Sequence, residues 1–89
     1  MDDKFEKLRE LLIKDNNWPK VYMFKFIVAG DNSKIAQVES LFSTDSVIRT
    51  KESSGGKYIS ITVEELMLTP QHVIDIYNQA SKIEGIMTL

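Results

Sequence analysis

Residues 53–63 read Ser-Ser-Gly-Gly-Lys-Tyr-Ile-Ser-Ile-Thr-Val and contain the clearest strand pattern in the chain. From Tyr58 onward, polar and apolar side chains alternate with a period of two, which predicts a strand with one buried face. The two glycines before it tolerate positive φ and so predict a hairpin turn. Residues 45–52, before the turn, form a weaker and more charged strand pattern, as is typical of a sheet edge. We therefore expect a β-hairpin over residues 45–66.

A central strand is predicted over residues 20–29, which are apolar at nearly every position and rich in aromatic and β-branched types. Its alternate positions divide into two faces. The aromatic set is expected to face the core: Tyr22, Phe24, Phe26 and Val28. We further expect Phe26 and Ile61 to be buried together between the sheet and the helices.

Three amphipathic segments predict helices. One spans residues 3–14, where apolar residues recur at three- and four-residue spacing. A second begins after the turn at Gly30 and extends to Ser43. A third opens at Thr69-Pro70, an N-cap followed by proline at the first helical position, and its apolar pattern continues to Ile83. Residues 86–89 predict a short final strand.

The resulting order is a helix followed by β, α, β, β, α, β, which predicts an α+β protein with a ferredoxin-like βαββαβ sandwich. Right-handed crossovers place two helices on one face of a four-stranded antiparallel sheet with the order 4-1-3-2. We expect one domain over residues 1–89, with an N-terminal helix and connection over residues 1–17 and the βαββαβ core over residues 18–89. The other sheet face stays bare unless the N-terminal helix and a partner cover it.

The composition excludes several chemistries. The 89 residues contain no cysteine, which removes disulfides, thiolate nucleophiles and sulfur-ligated metal sites. Eleven basic and thirteen acidic residues give a net charge of −2, so nucleic acid is an unlikely partner. The acidic start differs from a secretory signal, and no apolar run approaches the roughly 20 residues of a membrane span. We expect a cytoplasmic protein with no cofactor and no membrane contact.

No catalytic residue is predicted. His72 is the only histidine, and Asp75 shares its helix face, but two side chains on one helix do not make a metal site without a third ligand. Ser-Ser-Gly-Gly-Lys resembles part of a phosphate-binding loop, yet Lys51 stands where that motif needs glycine and Tyr58 where it needs serine or threonine. A hairpin turn is favoured, with anion binding by Lys57 and the turn amides as the minor alternative.

The bare sheet face is the candidate recognition surface. The strand alternation exposes basic residues and one aromatic near the hairpin, and the candidate residues are Lys25, Arg49, Lys51, Lys57 and Tyr58. The leading hypothesis is a non-enzymatic regulatory or interaction domain that acts through a partner protein or a small ligand. An RNA-binding module that uses the same face is the alternative, although such modules present two or three aromatics and this face offers one. A passive, solvated face remains open as well.

The whole chain resembles the YbeD-like bacterial proteins, a family of unknown function. The hairpin over residues 51–62 carries the most specific part of the resemblance, and Trp18-Pro19 before the first strand and the Ile-Met-Thr-Leu ending at residues 86–89 support it. The resemblance implies a ferredoxin-like fold similar to ACT-type regulatory domains, which pair and bind small ligands at their interfaces. A homo-oligomer is therefore one form of association to expect. The resemblance implies no catalytic residue.

Overall fold

A computed structural model describes residues 5–89 of the chain. It contains three helices and four strands in the order α1 (Glu6–Lys14), β1 (Lys20–Ala29), α2 (Asn32–Glu39), β2 (Val47–Glu52), β3 (Tyr58–Met67), α3 (Pro70–Ala80) and β4 (Met87–Thr88). The expected acidic start and the expected helix start at Asp3 fall partly on residues 1–4, which lie outside the described residues. Within residues 5–89, no helix has the length and apolar character needed to cross a membrane.

The four strands form one antiparallel sheet in the order β2-β3-β1-β4. These neighbours are the ones that the sequence predicts, since the expected order 4-1-3-2 is the same order counted from the other edge. β1 and β3 pair over ten residues each, and Phe26 lies directly opposite Ile61. The hairpin strands β2 and β3 place Arg49 opposite Thr62 and Lys51 opposite Ser60. This register fixes which side chains share a face.

The core lies between one face of the sheet and the three helices. Its fully buried side chains include the predicted pair, Phe26 and Ile61, each 0% exposed. Phe24, Phe26, Phe42 and Tyr77 form an aromatic cluster with ring centroids 5.2 to 6.2 Å apart. These rings come from β1, from α3 and from the segment after α2. The two crossover helices, α2 and α3, therefore pack on the same face of the sheet.

The N-terminal helix lies on the helix side of the sheet. Leu12 is buried in the core, and the Trp18 indole N–H donates to the Leu12 carbonyl over 3.0 Å. The Phe5 ring stacks on Tyr77 of α3, with centroids 5.5 Å apart. The expectation that this segment could cover the bare sheet face is therefore wrong for residues 5–14, because Leu12 is buried, and Phe5 and Leu8 are partly buried, on the opposite face.

Local sequence explains where the two crossover helices begin. The Asp31 carboxylate caps α2 by accepting from the Ser33 N–H over 2.8 Å, and this hydrogen bond lowers the pKa of Asp31. The Thr69 hydroxyl caps α3 by accepting from the His72 N–H over 3.2 Å. Both helices end earlier than their apolar patterns predict, at Glu39 and Ala80, because turns take over the residues that continue the pattern.

The hairpin turn has the predicted backbone geometry. Ser54–Gly56 forms a single 3₁₀ turn, with φ of 83° at Gly55 and 70° at Gly56. Both glycines therefore adopt the left-handed conformation that the sequence requires of at least one of them. The turn connects two strands and opens no helix, unlike a phosphate-binding loop. The end of β1 packs closely on it, since a Cβ at Gly30 would meet the Gly56 carbonyl oxygen.

Candidate interaction face

The uncovered side of the sheet is the candidate site, and we call it the open face. It consists of the outward side chains of the three longer strands: Val21, Met23, Lys25, Ile27, Val47, Arg49, Lys51, Tyr58, Ser60, Thr62, Glu64 and Leu66. Alternation explains the set, because every second residue of a strand points to the same side. None of these side chains is classed as buried.

The half of the open face nearest the hairpin is basic. Lys25 and Arg49 flank Thr62 from the two neighbouring strands, and Lys51 stands one step closer to the turn. Four of the five predicted recognition residues therefore share this face, with Tyr58 at the first position of β3. The fifth, Lys57, precedes the strand, and its ammonium lies over the Tyr58 ring at 5.5 Å from the centroid.

An ion pair joins the two halves of the open face. The Arg49 guanidinium donates to the Glu64 carboxylate over 2.6 Å, and both side chains are partly exposed. Such a pair in contact with water contributes at most about 1 kcal/mol to stability. Its larger effect is electrostatic, because Glu64 offsets the charge of Arg49 in the middle of the face.

The other half of the open face carries the aliphatic side chains of a shallow groove of about 630 Å³, which has an acidic rim and extends to Glu65 and His72 on the helix side of the sheet. The lining residues are Val21, Ser43, Asp45, Val47, Glu64, Glu65, Leu66, Leu68 and His72. Val21 is 62% exposed, and Val47 and Leu66 are each 52% exposed. Glu65 is held in place by Ser43, whose N–H and hydroxyl each donate to its carboxylate over 2.7 Å.

Sequence reasoning missed this groove. Extending the alternation of β3 two residues past Glu64 identifies Leu66 as an outward apolar position, so that signal was available. Ser43 and Leu68 lie outside the strands, and only the folded chain brings them together. Asp45 falls within the predicted strand over residues 45–52, but β2 begins at Val47 and leaves Asp45 in the preceding turn.

The remaining sequence candidates do not assemble into a site. The His72 side chain lines the groove, whereas the Asp75 carboxylate accepts from the Gln71 side-chain amide over 2.8 Å along α3. Across residues 5–89, no three His, Cys, Asp or Glu side chains come together as metal ligands. The pKa of Tyr77 is raised above the 10.0 of an exposed tyrosine, chiefly by burial and then by its contact with the Tyr22 hydroxyl at 3.4 Å. This buried tyrosine lies in the core, away from both halves of the open face.

Comparison with known proteins gives a family description and related sequences. Residues 14–89 match the family described as "Protein of unknown function (DUF493)". A "UPF0250 protein" of Shewanella piezotolerans is 30% identical over 92 residues, which cover 97% of this chain and 94% of the relative. A "UPF0250 protein" of Shewanella halifaxensis shows the same identity and coverage, and one of Shewanella putrefaciens is 29% identical. No solved structure matches the chain.

Proposed function

The chain belongs to the DUF493 family of proteins of unknown function, as its YbeD-like resemblance predicts, and from this premise we propose that it is a non-enzymatic interaction domain. It acts by associating with a protein through the open face. The observation that supports this proposal most directly is the exposure of large aliphatic side chains there, with Val21, Met23 and Leu66 each more than half exposed. Contiguous exposed apolar surface with a polar rim is typical of protein interfaces.

The strand order and the placement of both crossover helices on one face support a ferredoxin-like assignment. The likeness to ACT-type regulatory domains then makes a regulatory role the natural extension, with a small ligand bound where two domains meet. The lack of cysteine supports action in a reducing compartment, the cytoplasm.

RNA binding through the same face is the second candidate, and the basic half with Tyr58 favours it. Two contacts weigh against it. Glu64 places a carboxylate beside Arg49, where it repels phosphate, and Lys57 covers the Tyr58 ring on which a base would stack. A mixed, half-apolar face is better suited to protein than to RNA.

Quantitative capture from native bacterial lysate tests the proposal. We compare tagged parent with two open-face variants, the doubly substituted Arg49→Ser/Lys51→Ser chain and the Leu66→Ser chain. Leu11→Ser is the matched control, because Leu11 is 65% exposed on α1, away from the open face. All of these residues are exposed, so stability should change by no more than about 0.5 kcal/mol.

The expected result is that both open-face variants lose the proteins that the parent and the control retain. Nuclease treatment should leave the captured proteins unchanged. Loss of capture after nuclease, with a salt slope that falls by nearly one per removed cation, would support the RNA alternative instead. Equal capture by all four chains would mean that the open face is passive.

A further inference from the structure

We propose that the open face binds a second copy of this chain. The two sheets pack face to face around a two-fold axis that lies between them, parallel to both sheets and perpendicular to the strands. This inference rests on the proposed function and names the partner. It follows from the uneven distribution of charge along the strands, which makes the face complementary to itself after a half-turn. A two-fold interface requires that kind of self-complementarity.

The register determines which residues meet. Thr62 and Glu64 are successive outward positions of β3, and we place the axis midway between their levels. A half-turn about this axis keeps each strand over its own copy and exchanges its two ends. The register of β1 places Ile27 over the partner's Val21. Continuing the register of β2 two residues before its start at Val47 places Lys51 over the partner's Asp45.

Charges are complementary in this arrangement. The basic half of one copy carries Lys25 and Lys51, and it covers the half of the other copy that carries the partner's Glu64 and the partner's Asp45. Because the axis generates each contact twice, every attraction is doubled. Stacking in the parallel sense, with hairpin over hairpin, would place these lysines over one another and is disfavoured.

Apolar groups match as well. The aliphatic floor of the groove, formed around Leu66, lies beneath Ile27 and Tyr58 of the opposite copy. Tyr58 is 45% exposed and stands at the opposite end of β3 from Leu68. The half-turn therefore brings the partner's Leu68 to the level of Tyr58. Packing of two antiparallel sheets through such inner faces, about 10 Å apart, is a common arrangement.

The size of the face sets the expected affinity. Ten-residue strands about 33 Å long, across a width of roughly 15 Å, give about 500 Å² per copy and about 1,000 Å² in all. That total lies at the lower limit for a specific interface, so we expect a reversible dimer with a dissociation constant of about 1 to 100 µM.

Mixing two oppositely charged variants tests the geometry. Lys51→Asp places two acids together at each contact of its own dimer, and Asp45→Lys places two lysines together. Each variant alone is expected to dimerise at least about tenfold more weakly than the parent. An equimolar mixture of the two restores both contacts in a heterodimer and should return to within about threefold of the parent affinity. Lys82→Asp, in the turn after α3, is the control and should leave the affinity unchanged.

Sedimentation equilibrium, with far-UV circular dichroism to verify folding, supplies the measurement. Should one charge variant fail to fold, cross-linking replaces it: Val21→Cys and Ile27→Cys chains, mixed and treated with a short bismaleimide, should form a covalent dimer. Each chain then has a single cysteine, so an internal link cannot form. The two sites are about 20 Å apart along β1, so two copies of the same variant should not be linked by a short reagent.

Restored dimerisation on mixing supports the inference, since a folding defect in either variant cannot be repaired by the other chain. A parent chain that stays at 10.2 kDa up to about 1 mM overturns it. The inference is also overturned if neither substitution weakens the dimer, or if both weaken it and mixing does not restore the affinity. The proposed function is judged separately: a monomeric parent whose open-face variants still lose captured proteins leaves that proposal standing with a different partner.

Discussion

Truncation of Phe26 to alanine tests the assignment of the two sheet faces, on which the proposed site depends. Phe26 is 0% exposed, and its ring centroid lies 6.1 Å from that of Phe24, 6.2 Å from that of Phe42 and 6.2 Å from that of Tyr77. Removal of the ring takes away its transfer free energy and leaves a cavity among aromatic groups that cannot easily collapse. The expected loss is about 3 to 5 kcal/mol.

This loss is large for the molecule, since 89 residues correspond to a total stability of about 4 to 13 kcal/mol. Urea unfolding followed by circular dichroism measures it, with a midpoint shift of about 3 to 5 M expected for a slope near 1 kcal/mol/M. If Phe26→Ala does not fold, Phe26→Leu keeps most of the volume and should cost about 1 to 1.5 kcal/mol.

Met23→Ala is the matched control, because Met23 lies on the same strand with its side chain 52% exposed on the open face. Its cost should stay within about 0.5 kcal/mol when the protein is kept below about 1 µM, where self-association contributes little. A Phe26→Ala cost below about 1 kcal/mol, or one equal to that of Met23→Ala, would refute the assignment of the faces.

Three further changes address the hairpin and the core. Gly30→Ala should cost about 1 to 3 kcal/mol in urea unfolding, because the new Cβ would meet the backbone carbonyl of Gly56; a cost near zero would show that the turn can move away. Gly56→Val should cost about 1 to 3 kcal/mol through its φ of 70°, and Gly56→Asn should cost less; equal costs would argue against conformational strain. Burial raises the pKa of Tyr77, so the unfolded chain loses that proton near pH 10.0 while the folded chain keeps it. The contribution is complete below that pH and is lost as the pH rises above it, so Tyr77→Phe should reduce the fall of the unfolding free energy at alkaline pH, and an unchanged fall would contradict this reasoning.

The sequence predicted the sheet well because its signals are local. The alternation over residues 58–63 and the apolar run over residues 20–29 define strands whose faces follow directly from a period of two. Two paired glycines then fix the hairpin, and the hairpin brings Arg49 and Lys51 to the same side as Lys25. The use of these residues in recognition stays a prediction.

Contacts that depend on packing between distant segments could not be predicted in this way. The position of α1 is set by Leu12 and Phe5 meeting α3, and its amphipathic pattern is equally compatible with either face of the sheet. The Arg49–Glu64 pair requires the register of β2 on β3, because the two residues are diagonal neighbours. A slip of two residues that sets Arg49 opposite Ser60 keeps every side chain on its face and still separates this pair.

The same ion pair bears on which partner suits the open face. If a phosphate backbone binds here, either Glu64 must be displaced from Arg49 or its carboxylate must stay beside the phosphates. Both options reduce the favourable binding free energy that the neighbouring lysines supply. A protein surface with its own acidic and basic halves faces no such conflict, since Glu64 can attract a lysine while it holds Arg49. Exposed aliphatic side chains favour the same conclusion, because a protein partner can remove them from water, whereas a sugar-phosphate chain leaves them hydrated. The features that make this face a poor platform for RNA are the ones that make it complementary to a folded partner with the same division of charge.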